Sequence, residues 1–209
     1  ITPPIHGIKA LLRGDAGRLW IGTKSGLLCW TDGQVHQFQP EDGVDRVDIR
    51  ALAQDDRGRI WAGGGNGALY CIESNKATSY RTEGPLAAQP IWSLLPDRDG
   101  SIWVGTFRGG LLRFRAGAFV RYTSKDGLPD DVISQLLDDA DGWLWGGSSK
   151  GIFRVAKSEL NAFAAGRSKF INCTAYGRFD GLPSLECSGS YQPACWRAGS
   201  GSTRPASAN

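Results

Sequence analysis

The chain has 209 residues, a hydrophobic fraction of 41%, a charged fraction of 22% and a net charge of +3, all ordinary values for a globular segment. Its basic residues are scattered, which argues against a nucleic-acid partner and against contact with an anionic membrane surface, and no apolar run approaches the ~18 residues of a membrane span. Glycine is the outlier: 29 residues, about twice the usual share, favour many short strands and tight turns.

Methionine and cysteine usage bear on the origin of the chain and on its covalent structure. Because there is no methionine, even at position 1, we expect the chain to be a piece of a longer protein. The five cysteines lack the spacing of a metal site. Cys29 and Cys71 are expected to be buried thiols in strands, whereas a local disulfide between Cys187 and Cys195 is an open alternative.

Four similar segments of about forty residues follow one another along the chain. Each starts with an apolar run at an isoleucine: Ile8, Ile49, Ile91 and Ile133. Each carries one tryptophan in the same place: Trp20, Trp61, Trp103 and Trp145. A glycine follows two residues after each tryptophan, at Gly22, Gly63, Gly105 and Gly147, and another follows six residues after it, at Gly26, Gly67, Gly109 and Gly151. Chance does not produce such a register, so the segments are tandem repeats.

The second repeat shows the strand pattern of one unit. Its apolar run at 49–52 leads into an acidic turn, which precedes a short aromatic strand around Trp61. Asn66 and Gly67 form a strong hairpin signal before a third strand. A more polar fourth strand closes the early repeats near Phe38, Tyr80 and Tyr122. Four short strands in a unit of this length are typical of a β-propeller blade, so we predict an all-β propeller of four-stranded antiparallel blades.

The repeated tryptophans and glycines are predicted to hold neighbouring blades together. A single small sheet cannot bury both faces, so it must stack on its neighbours, and an indole between two sheets buries about 150–250 Å². The glycine two residues later then lets the next strand approach where a side chain would collide. We therefore interpret both sets of residues as the structural core of the repeat.

The fourth repeat departs from the pattern after Phe153. The following segment predicts one short inserted helix, with Ser158 as its N-cap and Gly166 after its C-terminus. Residues 176–184 resemble residues 122–130, so a partial fifth repeat starts at about Tyr176. We expect propeller blades over 5–196 and a disordered tail over 197–209.

The sequence contains no recognisable catalytic or metal-binding motif. The only histidines, His6 and His36, lie outside the repeated cores. Paired aspartates such as Asp55 and Asp56 lie mostly in the repeated turn, where a solvated structural role is the simplest interpretation. No catalytic residue, metal or cofactor is therefore predicted for this segment.

Candidate ligand-binding residues lie where the repeats differ while the scaffold is constant. One such position follows the opening isoleucine: Lys9, Arg50, Trp92 and Ser134. Another directly precedes the glycine that lies six residues after the tryptophan: Ser25, Asn66, Arg108 and Lys150. Arginine and tryptophan suit a planar ligand that carries carboxylates or hydroxyls, such as an acidic sugar. We hypothesise that Arg50, Trp92 and Arg108 line a shared face near the axis, although ordinary surface variation is an alternative.

The repeated Asp-x-x-Gly-x-Leu/Ile-Trp-x-Gly-Thr core, with Asp-Gly-Leu-Pro between blades, resembles the two-component regulator propeller repeat, and the resemblance covers roughly residues 5–196. It implies the extracytoplasmic ligand sensor, periplasmic or extracellular, of a membrane-anchored bacterial receptor whose output domain is a histidine kinase or a diguanylate cyclase. It also implies a carbohydrate or another small ligand. Propellers of this family usually have seven blades, so this chain is expected to be an incomplete ring.

Several alternatives stay open at this point. A stand-alone protein-interaction propeller is one, although the Gly-His and Trp-Asp signature of WD repeats is missing. A propeller enzyme similar to streptogramin lyases is another, although the histidine and acidic cluster that such a site needs is not evident. Self-association through open blade edges, receptor dimerisation and a small closed ring are further expectations to test.

Overall fold

A computed structural model of the chain describes residues 7–84, 87–139, 141–187, 195–197 and 203–205. Within these residues the predicted all-β architecture is confirmed. The strands form four four-stranded antiparallel sheets and one two-stranded ribbon, and the described part of the chain contains one α-helix.

Each four-stranded sheet is one blade, and its strands follow one another in chain order. The first blade contains β1–β4, which are Ile8–Arg13, Leu19–Thr23, Gly26–Thr31 and Gln34–Gln37. The second contains β5–β8, which are Ile49–Gln54, Ile60–Gly64, Leu69–Glu73 and Lys76–Tyr80. The third contains β9–β12, which are Ile91–Pro96, Ile102–Thr106, Leu111–Arg115 and Ala118–Tyr122. The fourth contains β13–β16, which are Ile133–Asp138, Trp143–Ser148, Gly151–Ala156 and Cys173–Tyr176.

Neighbouring blades meet mainly through their first strands. β1 lies against β5, β5 against β9, and β9 against β13, so the sheets extend outward from a common inner edge. The indoles of Trp20, Trp61 and Trp103 are 1–2% exposed. Each lies in one apolar cluster with the opening isoleucine and the leucine of the next blade, which are Ile49 and Leu52, Ile91 and Leu94, and Ile133 and Leu136.

The glycine two residues after the tryptophan makes room for that next isoleucine. A Cβ built on Gly63 would lie 2.4 Å from Cγ2 of Ile91, and one built on Gly22 would lie 2.6 Å from the carbonyl oxygen of Ile49. Any larger side chain would force the blades apart, because packed interiors absorb little extra volume. Glycine is thus required by the distance between sheets and not by the backbone conformation.

Blade 4 differs at its outward face, where Trp145 is only half-buried. No complete fifth blade covers it in the described part of the chain. Its indole contacts Tyr176, with ring centroids 5.7 Å apart, as the tryptophans of the other blades contact Phe38, Tyr80 and Tyr122. Cys187 lies beside Gly147 and donates its backbone N–H to Ser148 O at 3.1 Å. Cys187 therefore lies where the earlier blades place the opening isoleucine of the next blade.

The glycines that lie six residues after the tryptophans do not occupy structurally equivalent positions in all four blades. Trp20 and Trp145 pair with residues nine positions later, Cys29 and Arg154. Trp61 and Trp103 pair with residues ten positions later, Cys71 and Arg113. The second and third blades have one extra residue in this turn. In the third blade the residue that corresponds to Gly26 is consequently Gly110, which accepts the same hydroxyl hydrogen bond, and not Gly109.

The predicted helix is present as α1, Lys157–Ala164, between β15 and β16 of the fourth blade. Its N-cap is Ala156 and not Ser158, because the helix begins two residues earlier than predicted. Gly166 has a φ of 68°, as expected after a helix C-terminus. The helix packs through its buried Leu160.

Two further strands follow the fourth blade. β17, Cys195–Arg197, lies beside β13 and pairs with β18, Thr203–Pro205, which falls within the segment expected to be disordered. The bounds 5–196 and 197–209 otherwise stay predictions. Cys29, Cys71, Cys173 and Cys187 are free thiols, so Cys187 forms no disulfide with Cys195. Cys29 and Cys71 are buried in strands as expected, and burial raises the pKa of the Cys71 thiol to about 11.

Candidate ligand-binding site

Each inner strand contains a β-bulge directly after its opening isoleucine. In β1 the pairing passes from Ile8 to Ala10, in β5 from Ile49 to Ala51, and β9 and β13 do the same. The residues left out of the ladders are Lys9, Arg50, Trp92 and Ser134. A bulge frees its extra residue from regular pairing and redirects the side chain. One of the two sets of positions that vary in the sequence is therefore the set that the strand pairing leaves out.

Two of these bulge residues open into a cleft at the junction of the first and second blades. The cleft has a volume of about 520 Å³ and is lined by Lys9, Lys24, Arg46, Val47, Asp48, Arg50, Gly65 and Asn66. Four of the lining side chains are cationic and one is anionic, so the formal charge of the cleft is +3. A concave surface with this excess of one sign concentrates the positive potential and attracts anions.

Arg50 is held inside this cleft by one carboxylate. Its Nε donates to Oδ2 of Asp48 at 2.5 Å, and both side chains are about one-quarter exposed. Arg46, which also lines the cleft, donates from Nη2 to Oε1 of Gln39 at 3.0 Å. The two guanidinium groups are oriented by their neighbours while they remain accessible to solvent, which lowers the entropic cost of binding an anion.

Trp92 and Arg108 meet on a third residue, Phe107. The rings of Trp92 and Phe107 stack with centroids 4.7 Å apart, and the guanidinium carbon of Arg108 lies 4.9 Å from the centroid of Phe107. Arg108 adopts a positive φ of 68°, which is uncommon for a residue with a side chain. Nε1 of Trp92 is buried and has no hydrogen-bond partner among the residues that the structure describes.

The three predicted site residues thus fall into two neighbouring groups. Arg50 lies in the cationic cleft, whereas Trp92 and Arg108 belong to the aromatic group around Phe107, carried by the adjacent strand β9 and the turn after β10. A single surface that contains all three stays a prediction. Lys24, Arg46, Asp48 and Phe107 were not predicted from the sequence. The charged run at 45–50 was the signal that could have pointed to the cleft.

The aspartates of the repeated turn form hydrogen bonds within that turn. Asp55 accepts hydrogen bonds from the backbone of Arg57 and Arg59, and Asp139 does the same for Asp141 and Trp143. Among the described residues, no group of three or more His, Cys, Asp or Glu side chains is arranged to hold a metal ion. No helix in the described part of the chain is long and apolar enough to cross a membrane.

One family model matches a segment of the third repeat. The model described as "Two component regulator propeller" matches residues 85–108, which contain β9, β10 and the turn with Phe107 and Arg108. Residues 85–108 are therefore similar to a two component regulator propeller repeat. No curated protein sequence matches the chain significantly.

Several solved structures share the fold of this chain. The extracellular domain of a protein assigned as a hybrid two component system of B. thetaiotaomicron superposes with a TM-score of 0.73 at 18% identity, over 93% of this chain and 26% of that one. The extracellular domain of a protein assigned as a one component system of the same organism gives 0.68 at 18% identity, over 96% and 28%. Virginiamycin B lyase from Staphylococcus aureus gives 0.66 at 17% identity, over 90% and 60%. The chain therefore spans about a quarter of the two extracellular domains.

Proposed function

We propose that this regulator propeller is the ligand-sensing, non-catalytic segment of a two-component-type membrane signalling receptor, located in the periplasm or outside the cell. The single observation that carries the proposal is the set of four bulge residues on adjacent inner strands. A scaffold of repeated buried tryptophans presents variable side chains at one edge, as ligand-binding proteins commonly do. The family match and the extracellular domains of similar fold support the receptor context.

The proposed ligand is a carbohydrate that carries acidic groups. Lys9, Lys24, Arg46 and Arg50 supply the positive charge for carboxylates, sulfates or phosphates. The stacked pair of Trp92 and Phe107 supplies a flat apolar surface of the kind that packs against a sugar ring.

Binding of trigalacturonic acid, measured by isothermal titration calorimetry, tests the ligand class. Arg50→Ala, Trp92→Ala and Arg108→Ala are each expected to weaken binding about tenfold or more, because each removes a charged or stacking contact worth ~1.5 kcal/mol. Arg57→Ala is the matched control, since Arg57 is an exposed arginine of the second blade outside the cleft. Unchanged affinity in all three site variants would contradict the proposal.

The receptor context has its own test, which is the complete reading frame of the parent gene. A downstream membrane span followed by a histidine kinase or a diguanylate cyclase domain is the expected result. A stop codon after a closed ring would instead favour an independent interaction propeller.

The lyase fold similarity supports a second, enzymatic candidate. Incubation of the chain with a streptogramin B antibiotic and Mg²⁺ is expected to leave the antibiotic intact by mass spectrometry. Linearisation of the antibiotic would favour that candidate over the sensor.

A further inference from the structure

The cleft contains an acid that no requirement of the fold explains. Asp48 precedes the opening isoleucine of the second blade, and the corresponding residues of the other blades are Gly7, Pro90 and Val132. In the first three blades this residue accepts a backbone hydrogen bond through its carbonyl oxygen, from Lys24, Gly65 and Phe107 respectively. The backbone contact therefore occurs with or without an acidic side chain.

Gly65 is what admits the Asp48 carboxylate. A Cβ built on Gly65 would overlap Oδ1 of Asp48, whereas the first and third blades have Lys24 and Phe107 at this position. Gly65 has an ordinary backbone conformation, so the glycine is not needed for a positive φ. Blade 2 combines an acid with a facing residue that has no side chain, and the pair places the carboxylate on Arg50.

We propose that Asp48 is an internal competitor for Arg50 and that it makes the cleft selective for ligands with several negative charges. The inference deepens the proposed ligand-binding function and rests on it. Asp48 and Arg50 neutralise each other across 2.5 Å. A ligand with one carboxylate must displace Asp48 to pair with Nε of Arg50, and the charge-assisted hydrogen bond that it gains there replaces one that it breaks.

A ligand with two or more anionic groups does not face this limit. It can engage Lys24 and Arg46 while it exchanges with Asp48 at Arg50, and the formal charge of +3 in the cleft matches about three ligand charges. Asp48 thus discriminates by the number of charges, because an unfavourable contact with the wrong ligand gives as much specificity as a favourable contact with the right one.

The test compares galacturonic acid, which has one carboxylate, with trigalacturonic acid, which has three. Affinities of the wild-type chain, Asp48→Asn and Gly65→Ala are measured by calorimetry at low salt. Asp48→Asn keeps the shape of the side chain and removes its charge. The affinity for galacturonic acid (the monomer) is therefore expected to rise about tenfold, which is more than the rise in affinity for trigalacturonic acid (the trimer). Gly65→Ala is expected to act in the same direction by displacing the carboxylate, although all charges are kept.

Asp32→Asn is the matched control, because Asp32 is an exposed acid in the turn between β3 and β4, outside the cleft. It changes the net charge by the same amount and is expected to leave the ratio of trimer to monomer affinity unchanged. If the ratio of trimer to monomer affinity is the same in the wild type, Asp48→Asn and Gly65→Ala, Asp48 is not a competitor for Arg50. That result would leave the proposal that the trimer binds through Arg50 unaffected. Loss of the proposed function itself would appear differently, as trimer binding that Arg50→Ala does not weaken.

Discussion

The indole Nε1 of Trp61 donates a hydrogen bond to Oδ2 of Asp55 at 2.9 Å. The same bond joins Trp103 to Asp97 at 2.8 Å and Trp145 to Asp139 at 2.9 Å. In each of these three blades the acid stands six residues before the tryptophan, and the carboxylates of Asp55 and Asp139 also accept backbone hydrogen bonds within the acidic turn. In these blades the aspartate thus provides a hydrogen-bond acceptor for the indole N–H of the tryptophan.

Asp55→Ala is expected to lower the free energy of unfolding by about 2 kcal/mol, because the buried Nε1 of Trp61 and two backbone N–H groups lose their acceptor. Urea unfolding followed by tryptophan fluorescence measures the change. Asp56→Ala, at the exposed neighbouring acid, is the control and should cost less than about 0.5 kcal/mol. Equal effects at the two positions would contradict the role given to Asp55.

Asp55 also makes a prediction about pH. Burial opposes ionisation, yet hydrogen bonds from Trp61, Arg59 and the backbone hold the pKa of Asp55 below its usual value. Its contribution to stability is therefore complete above a pH of about 4 and is lost as the pH falls through the lowered pKa. The difference in stability between the wild type and Asp55→Asn should shrink across that acidic range. A constant difference would show that the ionised form is not what stabilises the fold.

The first blade lacks this bond, because Gly14 stands six residues before Trp20. Nε1 of Trp20 is buried without a partner among the described residues, and a Cβ on Gly14 would lie 2.8 Å from it. We expect Gly14→Ala to destabilise the chain by about 1–3 kcal/mol through overpacking. Gly14→Asp should cost clearly less, since its carboxylate offers the missing acceptor. Thermal unfolding of the two variants checks the order, and the reverse order would refute it.

Equivalent leucines of the first and second blades have very different exposures. Leu11 is 48% exposed and Leu52 is 6% exposed, because among the described residues a preceding blade covers the second blade and none covers the first. Leu52→Ala should cost about 2–4 kcal/mol and Leu11→Ala less than about 1 kcal/mol. Sedimentation velocity on the same variants tests self-association through the first blade. Similar costs at both positions would show that another chain covers Leu11.

Lys157 joins the third and fourth blades at their rim. Its Nζ lies 2.9 Å from carboxylate oxygens of both Asp97 and Asp138. Lys157→Met is expected to cost about 3 kcal/mol, since it leaves two partly buried carboxylates without their cation. Lys125→Met, at an exposed lysine, is the control. A cost no greater than that of the control would remove this role.

The alkaline limit of stability should also depend on Lys157. Although burial works against the charged form, the two aspartates raise the pKa of Lys157 above 10.5. The stabilisation is therefore present below the ordinary lysine pKa and disappears as the pH rises through the raised value. The melting temperatures of the wild type and of Lys157→Met should therefore converge as the pH rises through the raised pKa of Lys157. Divergence instead would show that the charge of Lys157 is not what holds the two blades.

Repetition made the fold predictable, whereas the site depends on the exceptions to it. The periodic Trp61 and Gly63 specify blade stacking because their burial recurs identically in several blades. The half-exposed Trp145 departs from that expectation, since no complete blade packs on it in the described part of the chain. The sequence also did not show that Gly110 is the residue equivalent to Gly26. The turn before it has one extra residue, and because Gly109 and Gly110 are adjacent, the glycine pattern fits two alignments.

The functional positions were only partly accessible from sequence for a related reason. The variability at Arg50 and Trp92 indicated positions free to change, but the bulges that free them are a property of strand pairing. Asp48 and Lys24 lie far apart in the chain and meet only because two turns lie side by side at the junction of two blades. Charge proximity across repeats has no periodic signal in a single sequence.

The helix α1 leaves the sheet after β15, and the chain returns as β16 without a change in the pairing, in which Ile152 still faces Tyr176 and Val155 faces Cys173. The rim of the fourth blade therefore accommodates additional polypeptide without disturbing the inner edge. A fluorescent reporter or an affinity tag spliced into the exposed stretch after Gly166 would have a rigid anchor there, at the end of the blade farthest from the inner strands.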